Sequence, residues 1–171
     1  MTRPLSTASE KEDGPPPRTA LAGHSILVGY GRVGSLVGAG LKEAALPLLV
    51  IEDTQKTLAK LKADGIETVT GNAANAEVFS AANPEGAKRL ILAIPNTFEA
   101  GQVVLRARAA NPAIDVIARA HSDAEVEHLK GLGADTVIMG EREIARGIVE
   151  IVTGETAVPD EPAIEIKPQP A

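Results

Sequence analysis

The stretch Ser25-Ile26-Leu27-Val28-Gly29-Tyr30-Gly31-Arg32-Val33-Gly34 decides how the rest of the chain reads. An apolar, strand-like run leads into glycines at 29, 31 and 34, the G-x-G-x-x-G spacing, and a helical pattern follows. That spacing alone is weak, because glycine-rich turns are common. Here a second apolar run, Leu46 to Ile51, ends on Glu52, eighteen residues beyond Gly34. Strand, glycines, helix, strand and acid in that order are a far sharper signal of a dinucleotide-binding turn. Gly29 would allow the tight turn, Gly31 would let the backbone approach a pyrophosphate, and Gly34 would let the helix pack closely on the strand. The free N–H groups of the helix start, with their partial positive charge, suit a phosphate. Glu52 can accept hydrogen bonds from ribose hydroxyls. The expected ligand is an adenine nucleotide.

From Ser25 onward apolar runs alternate with helical patterns, as in βαβ units with a parallel sheet. Strands are expected at about 25–30, 47–52, 67–71, 89–94, 115–120 and 136–139. Most are continuous Val/Ile/Leu runs, the mark of strands covered on both faces. A first helix is expected from Arg32 to about Ala44, with Val33, Val37, Gly40 and Leu41 on its buried side. A second follows Asp53 or Thr54 and stops at Gly65. Asn96-x-x-Glu99 and Ser122-x-x-Glu125 have capping-box spacing and place two more helix starts. Pro112 bars continuation of the helix that begins near Thr97. The resulting fold class is α/β: a Rossmann-like, doubly wound parallel sheet of six strands, order 3-2-1-4-5-6, in a single domain spanning 23–153. Ligands of such sheets sit beyond the carboxyl ends of the strands, where the order reverses. That brings the glycine loop, Glu52, Asn72 and the Ile94-Pro95-Asn96 corner around one crevice.

Composition narrows the functional classes. The 171 residues are 44% apolar but only 2% aromatic, so Val, Ile, Leu and Ala must build the core. A net charge of −6 gives no support for a nucleic-acid surface. Without cysteine there are no disulfides, thiolate metal sites or thiol catalysis. His24, His121 and His128 form no ligand cluster, which leaves them surface or capping roles. No apolar run approaches the roughly 20 residues that span a bilayer. Residues 1–22, Pro-rich and polar (Gly14-Pro15-Pro16-Pro17), read as a flexible linker, and 154–171 as a disordered tail. A domain flanked by connectors fits a piece of a longer protein as well as a free-standing one.

Several residues carry a functional and a plainer reading. Arg32 stands in the first helical turn, where a cation opposes the macrodipole at a cost of a few tenths to about 1 kcal/mol. A bound phosphate would reverse that sign; otherwise the side chain bends into solvent. Glu52 is favoured over Asp53 for the ribose, with Asp53 capping the next helix, and an acid here repels the 2′-phosphate of NADP. In Gly71-Asn72-Ala73-Ala74-Asn75 a small residue can lie against the adenine and an amide can bond its edge, or Asn75 simply caps the helix from Ala76. Arg119 closes the fifth strand, where it meets a phosphate, a carboxylate ligand or a partner subunit, or pairs with an acid such as Asp123. The helix from Glu141 to Val152 is apolar over more than one narrow stripe (Ile144, Ala145, Ile148, Val149, Ile151, Val152), which suits docking on its own sheet, dimer contact, or both.

Four segments together, Gly29 to Gly34, Gly71-Asn72-Ala73, Ile117-Ala118-Arg119-Ala120 and Met139 to Ala145, resemble the TrkA-N family, also called the KTN or RCK N-terminal domain. The resemblance covers about residues 24–152 and is strongest to the cytosolic domains of Kef-type monovalent cation:proton antiporters, in the YbaL-like branch. It implies a regulatory rather than an enzymatic domain. Such a domain dimerises partly through the helix at 141–152 and binds NAD(H), AMP or ATP. It passes ligand state to a membrane antiporter domain, N-terminal in the same chain, from the cytoplasmic face of the inner membrane. It also implies glutathione or a related anion near the dimer interface, in segments that include Arg32 and Arg119. The cofactor-binding set is thus Gly29, Tyr30, Gly31, Arg32, Val33, Gly34, Glu52, Asp53, Asn72, Ala73, Ile94 and Arg119. The family's usual Gly-Asp-Ala after strand three is Gly-Asn-Ala here, one charge fewer beside the adenine. Two other functions compete. An NAD-dependent oxidoreductase would need a substrate region and a positioned acid/base beyond the cofactor fold, and no such constellation appears near the crevice. A stand-alone peripheral subunit of a potassium channel or transporter would share the fold and the ligand.

Overall fold

The structure, a computed structural model, describes residues 14–155. The first thirteen residues of the expected linker, and all of the expected tail beyond Glu155, lie outside the described residues. Twelve elements alternate: β1 (Ser25–Val28), α1 (Arg32–Glu43), β2 (Leu48–Glu52), α2 (Gln55–Ala63), β3 (Glu67–Thr70), α3 (Ala76–Ala81), β4 (Arg89–Leu92), α4 (Thr97–Ala110), β5 (Asp115–Ala120), α5 (Asp123–Leu132), β6 (Thr136–Met139) and α6 (Gly140–Thr153). The strands form one parallel sheet in the order β3-β2-β1-β4-β5-β6, the expected doubly wound arrangement. β1 and β4 end two residues earlier than the apolar runs suggested, because the chain peels away there to form the loops of the crevice.

Each face of the sheet has its own core. Ile26, Val28, Leu49, Ile51, Leu90, Leu92, Val116 and Ala118 pack with α3, α4 and α5. Leu27, Val50 and Ile91 face the other way, against Leu61 and Ile66, with Tyr30, Val37 and Leu41 at the margin. Burying each such side chain contributes about 1.5–3 kcal/mol. Asn96 Oδ1 accepts the Glu99 N–H at 3.0 Å and Ser122 Oγ the Glu125 N–H at 3.2 Å, so both predicted helix starts carry the N-cap half of the box, while the Glu125 carboxylate takes the His121 N–H and not that of Ser122. α4 ends at Ala110, two residues before Pro112.

Four expectations change. α1 buries Gly34 and Gly38, while Val33 is 40% exposed and Gly40 faces open space. Gly34 lets the helix approach the Gly29 turn, and Gly38 lets it approach the Tyr30 ring. His24 is fully buried, with Nε2 2.8 Å from the Ala82 carbonyl, and is no surface residue. α6 buries none of its side chains, so docking on its own sheet is not what holds it. The linker, finally, does not run free to Ala22. The Thr19 N–H reaches the Ala81 carbonyl at 2.8 Å, the Gly23 N–H reaches that of Gly86 at 2.7 Å, and Arg18 pairs with Glu85. Asn83 Nδ2 donates to the Leu21 carbonyl at 2.8 Å. Arg18 to Gly23 is therefore a strap tied to the end of α3 and the segment after it.

Candidate functional site

The crevice lies at the carboxyl ends of the paired strands β1 and β4, where the chain leaves the middle of the sheet toward opposite edges. Val28 hands the chain to Gly29, whose φ of +86° is the left-handed region that L side chains avoid. A Cβ at Gly29 would also stand 2.8 Å from Ile94 Cγ2, so Ile94 underlies the turn. At Gly34 a Cβ would collide with the Gly29 carbonyl, which fixes α1 against the turn. Gly31 differs from both. A Cβ there would meet nothing within 4 Å, and its φ of −77° is open to any residue. Packing does not account for glycine at 31. The space above it is left clear at the start of α1, where Gly31 as N-cap makes no side-chain cap bond and the first turn holds no acid. Uncapped N–H groups with a positive dipole end and room in front of them are what a phosphate needs. Arg32, in that first turn, is exposed.

Glu52, at the tip of β2, bridges this turn to its neighbours. Its Oε2 accepts the Tyr30 N–H at 2.9 Å, and its Oε1 accepts those of Asp53 and Thr54 at 2.9 and 3.0 Å. Partial burial alone would push the carboxyl up, but the N–H donors of Thr54, Tyr30 and Asp53 outweigh it and hold Glu52 below its ordinary range. With about two acceptor sites per oxygen, Oε1 is filled by Asp53 and Thr54, and Oε2 keeps one for a hydroxyl. Asp53 is exposed and does not cap α2; the N-cap is Thr54.

At the end of β3, Gly71 turns the chain at φ +135° and Asn72 Oδ1 accepts the Ala74 N–H at 2.7 Å. Asn75 Oδ1 accepts the N–H groups of Glu77 and Val78, so it caps α3. The methyl of Ala73 is buried in the core, which leaves its backbone, not its side chain, for a ligand. Tyr30 likewise offers only backbone to the crevice. Its ring lies across α1, where a Cβ on Gly38 would stand 2.5 Å from Cε2, and burial followed by the charge of Asp64 raises its hydroxyl's pKa. The glycine at 38 makes room for that ring.

Arg119 reaches the crevice from β5, with Nη1 3.5 Å from the Ala93 carbonyl, one residue before Ile94. It does not pair with Asp123, which is taken by Arg142. Its nearest polar side chain is His121, with Nη2 3.0 Å from Nε2. The surface or capping role expected of His121 missed this contact; the signal was its place two residues past Arg119 and four before Glu125. Among the described residues no cluster of His, Asp and Glu could hold a metal ion, and no helix is long and apolar enough to cross a membrane.

A doubly wound sheet with a glycine turn, an open helix start and an acid at the tip of β2 defines the Rossmann type of nucleotide-binding domain. Residues 25–140 match the TrkA-N domain, and the chain belongs to that family. It is 51% identical over 132 residues to YbaL of Escherichia coli strain K12, which carries the name of a cation/proton antiporter; the match takes in 77% of this chain. The chain spans about a quarter of that relative, 24% of its length. The crystal structure of the TrkA-N domain of the E. coli inner membrane protein ybaL superposes with a TM-score of 0.76 at 50% identity, over 78% of this chain and 99% of that one. Two more distant structures share the fold. The Shewanella denitrificans Kef CTD in AMP-bound form has a TM-score of 0.67 at 24% identity, over 76% of this chain and 79% of that one. The GsuK channel bound to NAD has a TM-score of 0.70 at 18% identity, over 81% and 25%.

Proposed function

We propose that this domain binds an adenine nucleotide in the crevice and reports its presence to a monovalent cation:proton antiporter. The observation that carries the reading is the clear space over Gly31 at the uncapped start of α1. The N–H groups of the first turn and Arg32 would hold the phosphates. Glu52 would hold the ribose while still tying down the Tyr30 N–H, and the backbone from Asn72 to Ala73 would border the adenine. The candidates are NAD(H), AMP and ATP, and glutathione or a related anion could use Arg32 and Arg119. The AMP-bound and NAD-bound relatives support nucleotides as the class of ligand.

The transporter would be a membrane domain preceding this one in the same chain, with the nucleotide domain on the cytoplasmic face of the inner membrane. Its role would be regulatory, without catalysis. A ligand shifts a transporter only by its different affinity for two conformations, and a hundredfold preference supplies about 2.7 kcal/mol. Dimerisation through α6 belongs to the same reading. Ile144, Ile148, Ile151 and Val152 recur at three- and four-residue steps, Ile151 is 84% exposed, and all would gain by being covered.

A thermal-shift panel of NAD, NADH, NADP, AMP, ADP, ATP and glutathione tests the proposal. A nucleotide at a hundred times its Kd raises Tm by roughly 5–10 °C. No shift with any of them overturns the reading, and equal shifts with NAD and NADP remove Glu52 from the ribose.

A further inference from the structure

His121 lies just beyond β5 between two groups of opposite charge. On one side Arg119 Nη2 stands 3.0 Å from Nε2. On the other, Glu125 Oε2 accepts the His121 backbone N–H at 2.6 Å and lies 3.3 Å from Nδ1. A guanidinium can only donate, so Nε2 must accept, and the ring proton must sit on Nδ1 facing the carboxylate. Glu125 is held ionised: the His121 N–H, against some desolvation, and the Thr97 hydroxyl from α4 both lower its pKa. Asp123, on α5, is paired with Arg142 of α6, and Glu99 sits in the first turn of α4.

We propose that His121 is a positioning residue that acts as a proton-controlled latch on Arg119. The neutral ring accepts from the guanidinium and keeps it over the Ala93 carbonyl, beside the crevice. A proton added at Nε2 removes the acceptor and sets two cations side by side. Arg119 then leaves the ring and turns to an anion in the crevice. Imidazole, which can carry one ring proton or two, is the side chain suited to such a switch. Anionic ligand and proton are thereby coupled: each favours the binding of the other. This rests on the crevice being an anion-binding nucleotide site.

Two measurements test it separately. In the ligand-free domain at pH 8, the nitrogen NMR shifts of the His121 ring report the Nδ1–H tautomer, and Arg119→Gln weakens that preference. A ring carrying its proton on Nε2 overturns the latch. The second measurement is NAD affinity by calorimetry, NAD being chosen because its diphosphate diester keeps its charge between pH 8 and 6. Affinity of the unaltered domain rises roughly two- to fivefold on going from pH 8 to pH 6, the size of one solvated charge contact. His121→Gln, which accepts a hydrogen bond but takes up no proton, makes that profile flat. A flat profile in the unaltered domain, or an unchanged slope in His121→Gln, overturns the proposal. Failure of NAD to bind at any pH removes the nucleotide reading instead and leaves the tautomer measurement to decide the latch.

Discussion

The turn between β1 and α1 presents backbone and almost no side chain, whereas α6 presents side chains and buries none of them. Both are unfinished surfaces, but they lack different things. The turn has unspent N–H groups and a clear space, which a small anion completes. α6 has apolar side chains in water, which a second apolar surface completes. A polar site of the first kind is specified by what the chain leaves out, so one added methyl group changes it. A surface of the second kind is specified by area, so it tolerates small changes and yields only to charge.

Four substitutions test that contrast. The largest effect belongs to Gly34→Ala, whose Cβ meets the Gly29 carbonyl. Denaturant unfolding is expected to show a loss of about 3 kcal/mol or more, beyond ordinary overpacking because backbone must move. Gly31→Val should separate binding from folding, since the added side chain enters open space. Unfolding is expected to cost about 1 kcal/mol, the penalty of valine at an N-cap, with nucleotide affinity by calorimetry down roughly a hundredfold. A stable variant that still binds would move the phosphate away from this turn. Ile148→Asp, at a position 57% exposed, should leave the monomer folded. If α6 forms the dimer, sedimentation is expected to show dimer association weakened at least tenfold, about 1.4 kcal/mol, with nucleotide affinity unchanged.

The smallest effect is at Glu52. Its folded-state pKa lies below its unfolded value, so the stability it contributes is present at neutral pH and lost as pH falls through the carboxylate range. Glu52→Gln should therefore cost about 1 kcal/mol at pH 7, after allowance for solvent, and almost nothing at pH 3, read from urea midpoints. Equal losses at both pH values would mean that charge plays no part in holding the turn.

The sheet order, all twelve elements and the closeness of the glycine turn to Glu52 were legible in the sequence. Period, apolar runs and capping residues are local signals, and the right-handed crossover rule turns them into a topology. Residues whose partners are remote in sequence were harder to read. Tyr30 sits inside the motif, yet its ring belongs to the core because Gly38, one turn along α1, makes room for it. Val33 has an apolar side chain on the exposed side of α1, and nothing in the spacing distinguishes it from Val37. The same limit applies to Arg119, which takes His121 rather than the acid four residues on. Composition also misled at the N-terminal end, where a Pro-rich run looked unattached although Thr19, Leu21 and Gly23 spend backbone groups on the domain.

That attachment has a mechanical consequence. A pull along the chain at Arg18 and Thr19 would reach the domain at the far end of α3, a rod of six residues, under two turns long, and at Glu67 of β3, which accepts from the Thr19 hydroxyl. The near end of the same rod is capped by Asn75, in the loop that would border the adenine. A pull on that strap and a ligand in the crevice would then load one short lever from its two ends.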